Sequence, residues 1–227
     1  MRDRRGLYRQ WVLANGLSEA VGLGTTFALG TLLAPRLAAA SGLVAVLGGA
    51  VLAVLLGTFL EGVVVGWAQG RVLARHSSIA PTAWIRASAL GAGLAWLLGM
   101  VPSTVMALVA GDAPPGEATP MPEPGPLVTY ALAAGLGAIT GPILGAVQWR
   151  VLKTAVPHAG RWLWANALAW AVGMPVIFAG MDLVPWSGSA AARALALYLV
   201  CLVAGVAVGL VHGRVLLGLL REAPPTP

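Results

Sequence analysis

Three pairs of bilayer-spanning helices are what this chain predicts, on three observations: an apolar composition, a two-part phrase that recurs along the sequence, and the sorting of arginine. Hydrophobic residues fill 58% of the 227 positions and charged residues only 10%, with a mean hydropathy of +0.83. A soluble domain carries about a quarter charged residues, so this chain has too few to cover its apolar surface. Crossing a hydrocarbon core of about 30 Å takes about 20 helical residues. Six stretches meet that requirement, approximately 11–33, 43–70, 84–110, 127–149, 163–183 and 192–217. Backbone groups in lipid must bond internally, and no short alternating strands are present, so the spans are expected to be helices.

Odd spans open on W-φ-x-A-[NS]-[AG]-L, at Trp11 to Leu17, Trp84 to Leu90 and Trp162 to Leu168. Even spans close on G-x3-G-x2-[QH]-x-R-V-L, at Gly62 to Leu73, Gly141 to Leu152 and Gly205 to Leu216. The two halves alternate, giving units of approximately 11–73, 84–152 and 162–216 within one integral membrane domain, 1–227. Each unit enters from the same side. The fold class expected is therefore all-α: a six-helix transmembrane bundle of three parallel two-helix repeats, related by an axis along the membrane normal.

Taking the elements in order, Arg2, Arg4, Arg5 and Arg9 precede span 1. Arg71, Arg75 and Arg86 flank the connector between spans 2 and 3. Arg150, Lys153 and Arg161 flank the next connector, and Arg214 and Arg221 close span 6. Of 14 basic residues only Arg36 and Arg193 fall on the other side, with Asp112, Glu117, Glu123 and Asp182. The positive-inside rule then expects both termini in the cytoplasm. The net charge of +6 is read as topology, with anionic lipid headgroups as partners and no nucleic acid. The N-terminal run resembles a signal peptide ending near Ala38-Ala39-Ala40-Ser41. Its length, Glu19 and the recurring phrase within it argue that span 1 is retained. The connectors Ala74 to Ala83 and Lys153 to Arg161 each hold one proline and one histidine, His76 or His158, expected to face water. Gly111 to Pro126, rich in proline and acid, reads as a solvent-facing loop.

Small residues recur every fourth position in the odd spans, as in Ala14, Ser18 and Gly22, and as glycine pairs in the even ones. Helices in lipid associate through such close approaches. Trp11, Trp67, Trp84, Trp149, Trp162 and Trp164 sit at the cytoplasmic ends, where an interfacial anchor keeps its indole N–H wet. Pro102, Pro142 and Pro175 are expected to kink their helices. Asp182 and Arg193 are expected to pair at the outer boundary.

The phrase Gly-x-x-Gln-Trp-x-Val-Leu, a short basic connector and Trp-Leu-x-Ala-Asn-Ala-Leu is best seen at Gly145 to Leu152 and Trp162 to Leu168. It resembles an uncharacterised group of small bacterial polytopic membrane proteins. Gly70 stands where the tryptophan would fall in the first unit, and His212 replaces glutamine in the third. The resemblance implies a bacterial inner-membrane location and supplies no mechanism.

Two sets of residues carry candidate chemistry. Gln69, Gln148 and His212 share one repeat position, and Asn15, Ser88 and Asn166 share another. Such a polar ring near the cytoplasmic mouth would bind an ion or polar solute, or else act as interhelical glue worth about 0.6 kcal/mol per bond. Glu19 and Glu61 break the repeat, standing opposite Ala92 and Trp170, and Thr140 and Ala204, respectively. They fall roughly 12 Å and 15 Å into the membrane at the helical rise. Carboxylates at that depth are costly and suggest function; a facing pair would share a proton and titrate together. The competing reading hydrogen-bonds Glu19 to a backbone carbonyl or to Asn15.

Cys201 is the single cysteine, which excludes an internal disulfide or cysteine zinc site. It reads as apolar filler. Metalloprotease, serine-hydrolase and phosphate-loop motifs are missing, so neither enzyme activity, metal nor cofactor is expected. The reading is a non-enzymatic scaffold, accessory or envelope component. Its alternative is a small proton or cation transporter using Glu19 and Glu61. A homo-oligomer or an unknown membrane partner remains open to either. Topology is directly checkable: in a Cys201→Ser background, single cysteines within 111–126 should react with an impermeant maleimide from the periplasm. Cysteines within 153–161 should react only from the cytosol.

Overall fold

The computed structural model describes residues 4–39, 42–110 and 124–222. Arg2, the acidic residues Asp112, Glu117 and Glu123, and Ala40-Ser41 lie outside them. The described chain is all helical: α1 (Arg4–Ala38), α2 (Gly42–His76), α3 (Pro81–Ala110), α4 (Pro126–Leu152), α5 (Arg161–Met181) and α6 (Ala190–Glu222). All six are long and apolar enough to cross a membrane. Most run past the expected spans, because hydrogen bonding continues beyond the apolar stretch. α1, at 35 residues, is about 50 Å long at the helical rise.

α2 contains a feature that its composition does not announce. Gly57–Gly62, carrying Glu61, is π-helical between two α-helical stretches. A π segment accommodates an extra residue in the turn and often marks a functional position. Pro102, Pro142 and Pro175 each lie inside an assigned helix.

Side-chain loss at glycine sets the helix order. A methyl group on Gly205 of α6 would lie 2.6 Å from Cβ of Glu19 on α1, and one on Gly209 would lie 3.0 Å from Cβ of Asn15. Gly62 and Gly66 of α2 press in the same way on Ala89 and Ser88 of α3. Gly141 and Gly145 of α4 press on Asn166 of α5. The remaining seams are made by Gly22 of α1 on Glu61 of α2, Gly91 of α3 on Leu144 of α4, and Gly173 of α5 on Val208 of α6. Each helix therefore packs against its neighbours in the chain, and α6 returns to α1. The six helices form a closed ring.

Burial is uneven along the ring axis. At the end bearing the two short connectors, Leu7, Leu73, Leu152, Leu216 and Leu219 join the connector residues Ile79, Val156 and Ala159 in one apolar core. Outward of Thr26, Gly57 and Ala92, none of the described residues of α1, α2 and α3 is buried. The ring is thus tight at the connector end and loose at the other on the α1–α3 side.

At the loose end one sequence expectation is corrected. Asp182 does not pair with Arg193: its Oδ2 accepts from Tyr130 Oη at 2.7 Å. The Arg193 guanidinium instead donates to the carbonyls of Gly188 (2.7 Å) and Trp186 (3.2 Å). The turn between α5 and α6 leaves those carbonyls unpaired, and the arginine reaches them first. At the connector end His158 is exposed and, with Arg161, binds Glu222 at 2.9 Å.

If the ring depends on glycine seams, Gly205→Ala should lower stability by about 1–3 kcal/mol, the usual cost of overpacking. Gly49→Ala, where a methyl group meets nothing within 4 Å, should not. Thermal unfolding in detergent distinguishes them; equal melting of both variants would exclude this packing.

Candidate functional site

Two layers of buried polar groups lie inside the ring. The first is at the connector end and is built on Trp11, Trp84 and Trp162. These were expected as wet interfacial anchors, and the structure corrects that: all three are fully buried. Their N–H groups are taken by the glutamine and histidine positions. Trp84 Nε1 donates to Gln69 Oε1 at 3.0 Å, and Trp162 Nε1 donates to Gln148 Oε1 at 2.9 Å. Trp11 Nε1 donates to His212 Nδ1 at 3.0 Å, which assigns that nitrogen as the acceptor. Each indole comes from the helix that packs on its partner's glycines, so close backbone approach brings donor and acceptor together.

The asparagine and serine positions complete the layer. Gln69 Nε2 donates to Asn15 Oδ1 at 2.8 Å, and Gln148 Nε2 donates to Ser88 Oγ at 2.9 Å. Asn15 and Asn166 turn their amide N–H groups back to the carbonyls of Trp11 and Trp162, at 2.7 and 2.9 Å. Across the ring, Gln148 Nε2 approaches Gln69 Oε1 at 3.4 Å. Trp162 meets Trp11 and Trp84 with ring centres 6.0 Å apart, and meets His212 at 5.2 Å. α5, which carries Trp162, is adjacent in the ring to the His212 helix but to neither α1 nor α3. The aromatic rings therefore meet across its middle and close it. The structure brings Gln69, Gln148, His212, Asn15, Ser88 and Asn166 together as a bonded plug.

By contrast, Trp67 and Trp164 are exposed, as interfacial anchors should be. Trp67 lies under Arg71 at 5.1 Å and Trp149 under Lys153 at 4.6 Å. These cation–π pairs fit the basic connector end.

The second layer is Glu19 and Glu61. Both are buried, from adjacent helices joined at Gly22, and they lie within electrostatic reach of each other. Trp96 of α3 donates its Nε1 to Glu61 Oε2 at 2.6 Å. Glu19 Oε2 is buried without a hydrogen-bond partner. The asparagine suggested for it is engaged at both ends of its amide, with Gln69 and the Trp11 carbonyl. Cys201 of α6, fully buried, lies within electrostatic reach of both carboxyls.

Sequence reasoning missed Trp96 and Cys201 as neighbours of this pair. Trp96 carried a usable signal, since it lies deep in span 3 and away from the anchoring ends. Cys201 carried none. Among the described residues, no three His, Cys, Asp or Glu side chains are grouped to hold a metal ion. A groove of about 490 Å³ between α5 and α6, lined by residues such as Val176, Leu183, Leu199 and Val203, is almost wholly apolar. It holds none of the candidate residues.

No protein-family model, curated protein or solved structure matches the chain.

The indole–amide bonds make a specific demand on position 212. His212→Gln supplies the acceptor used at Gln69 and Gln148 and should keep most of the stability. His212→Leu leaves the Trp11 N–H unsatisfied and should cost about 1–3 kcal/mol. Reversible unfolding in mixed micelles measures both, and a leucine variant as stable as the glutamine variant would remove the bond from the account.

Proposed function

We propose that the chain is a non-enzymatic scaffold or accessory component of the bacterial inner membrane. In this reading it is built from three parallel two-helix units, with both termini in the cytoplasm and anionic headgroups around its basic end. One observation carries it: the amides and imidazole of the mouth layer are bonded to tryptophans and to one another, inside a ring closed by glycine contacts. Groups held this way fix helix positions and leave no polar cup for a solute. The equivalent bonding of Trp11, Trp84 and Trp162 supports the triplicated architecture. The arginine distribution supports the orientation.

A second reading, transport of protons or a small cation through Glu19 and Glu61, is favoured by the unpartnered Glu19 Oε2 and by the π-helical setting of Glu61. The two readings separate in proteoliposomes under a pH gradient. A scaffold gives the same low proton leak with wild type and Glu61→Gln. A leak that is high in wild type and lost in Glu61→Gln would replace the scaffold with a transporter.

A further inference from the structure

The Glu19–Glu61 pair poses a problem that the scaffold leaves unsolved. Two carboxyls share a buried site, with Trp96 N–H bonded to Glu61 and one oxygen of Glu19 orphaned. At the low effective dielectric of such a site, two negative charges in mutual reach repel strongly. Neutralisation by a bound cation relieves both the repulsion and the orphaned oxygen. The facing groups are few. α6 offers Cys201, which has no positive form, and Tyr198, whose hydroxyl is held by Thr25 at 2.8 Å. α3 offers Trp96, which does not titrate. Among the described residues no arginine or lysine forms an ion pair with either glutamate. The smallest cation fits a site this closely packed, with Gly22 against Glu61 and Gly205 against Glu19.

The position of the site along the axis determines its access. Toward the connectors stand Asn15 and Gln69, then the tryptophan plug, then the apolar core of Leu73, Leu152 and Leu216. Toward the opposite end, burial on α1, α2 and α3 stops at Thr26, Gly57 and Ala92, within two turns of the glutamates. A path from the loose end along α1–α3 therefore passes only the smaller cluster of Leu23, Ile177, Cys201 and Ala204, while a path from the connector end must disrupt the plug and the larger core behind it.

We infer that Glu19 and Glu61 form a proton-binding site that loads and unloads only from the end of the bundle opposite the connectors. The inference takes from the second reading only its residues: it names the proton as the ligand and its side of entry, and it replaces throughput with a site that a proton leaves by the way it came. The chain then senses pH on one face of the membrane, with Trp96 coupling the charge on Glu61 to α3.

The test is labelling by dicyclohexylcarbodiimide, a bilayer-permeant reagent that attacks protonated carboxyls. The carboxyl gives its proton to a carbodiimide nitrogen, and its oxygen bonds to the central carbon. The resulting O-acylisourea rearranges to a stable N-acylurea that peptide mass spectrometry assigns. The whole chain is reconstituted in vesicles of known sidedness, with internal and external pH set independently. The expected result is an adduct on Glu19 or Glu61 whose rate falls as pH rises at the loose end, by up to about tenfold per unit. It should be unaffected by pH at the connector end. Glu19→Gln and Glu61→Gln should each change the yield or midpoint at the remaining carboxyl while melting as folded proteins. Absence of an adduct at any pH, or a rate that follows the connector-end pH, overturns the inference. Flux and labelling fail independently: labelling without flux sinks transport and leaves the one-sided site standing.

Discussion

In hydrocarbon a polar group has no water to return to, so each buried N–H or carboxyl needs a partner within the protein. The indole-to-glutamine or indole-to-histidine bond meets that need between helices. Once Trp11, Trp84 and Trp162 are buried, their N–H groups require acceptors at one depth on one face of the preceding or closing helix. Gln69, Gln148 and His212 are there. The glycine seams exist because the acceptor can be reached only when the backbones come close. Aromatic contact across the axis follows from three large rings entering the same small space. Stabilisation and closure of the ring thus arise from one arrangement.

The same need explains why Glu19 and Glu61 stand apart. They sit where the other helices offer Ala92, Trp170, Thr140 and Ala204, none of which can carry a charge. The Thr140 hydroxyl bonds back to the Leu136 carbonyl at 2.9 Å. A carboxyl can do that only when it carries a proton, and Glu61 instead takes the Trp96 N–H. The local backbone accommodates it with a π segment. A departure from regular helix coincides with the costliest side chains in the bundle, as expected where local preference has been overridden.

Much of this was legible beforehand. Six spans follow from apolar length alone, and the depth shared by Glu19 and Glu61 follows from counting residues along a helix. The role of the tryptophans did not, because hydropathy treats an indole as half apolar wherever it falls. A better clue lay in the recurrence itself. Trp11, Trp84 and Trp162 return in step with the glutamine and histidine positions, whereas Trp67, Trp149 and Trp164 do not. Pairing of Asp182 with Arg193 was inferred from opposite charge at one boundary, but nearby carbonyls and a tyrosine hydroxyl compete well for both. The π segment has no compositional mark, since it depends on the fit between α2 and its neighbours.

Closure of the ring between α1 and α6 bears on how the molecule is made. Trp11 and its acceptor His212 are 201 residues apart. During synthesis α1 enters the bilayer with an indole N–H whose acceptor is not yet made, and it stays so until α6 has left the ribosome. Insertion of α6 is therefore also the step that completes the bonding of α1, and a chain stalled before α6 leaves that N–H without its acceptor.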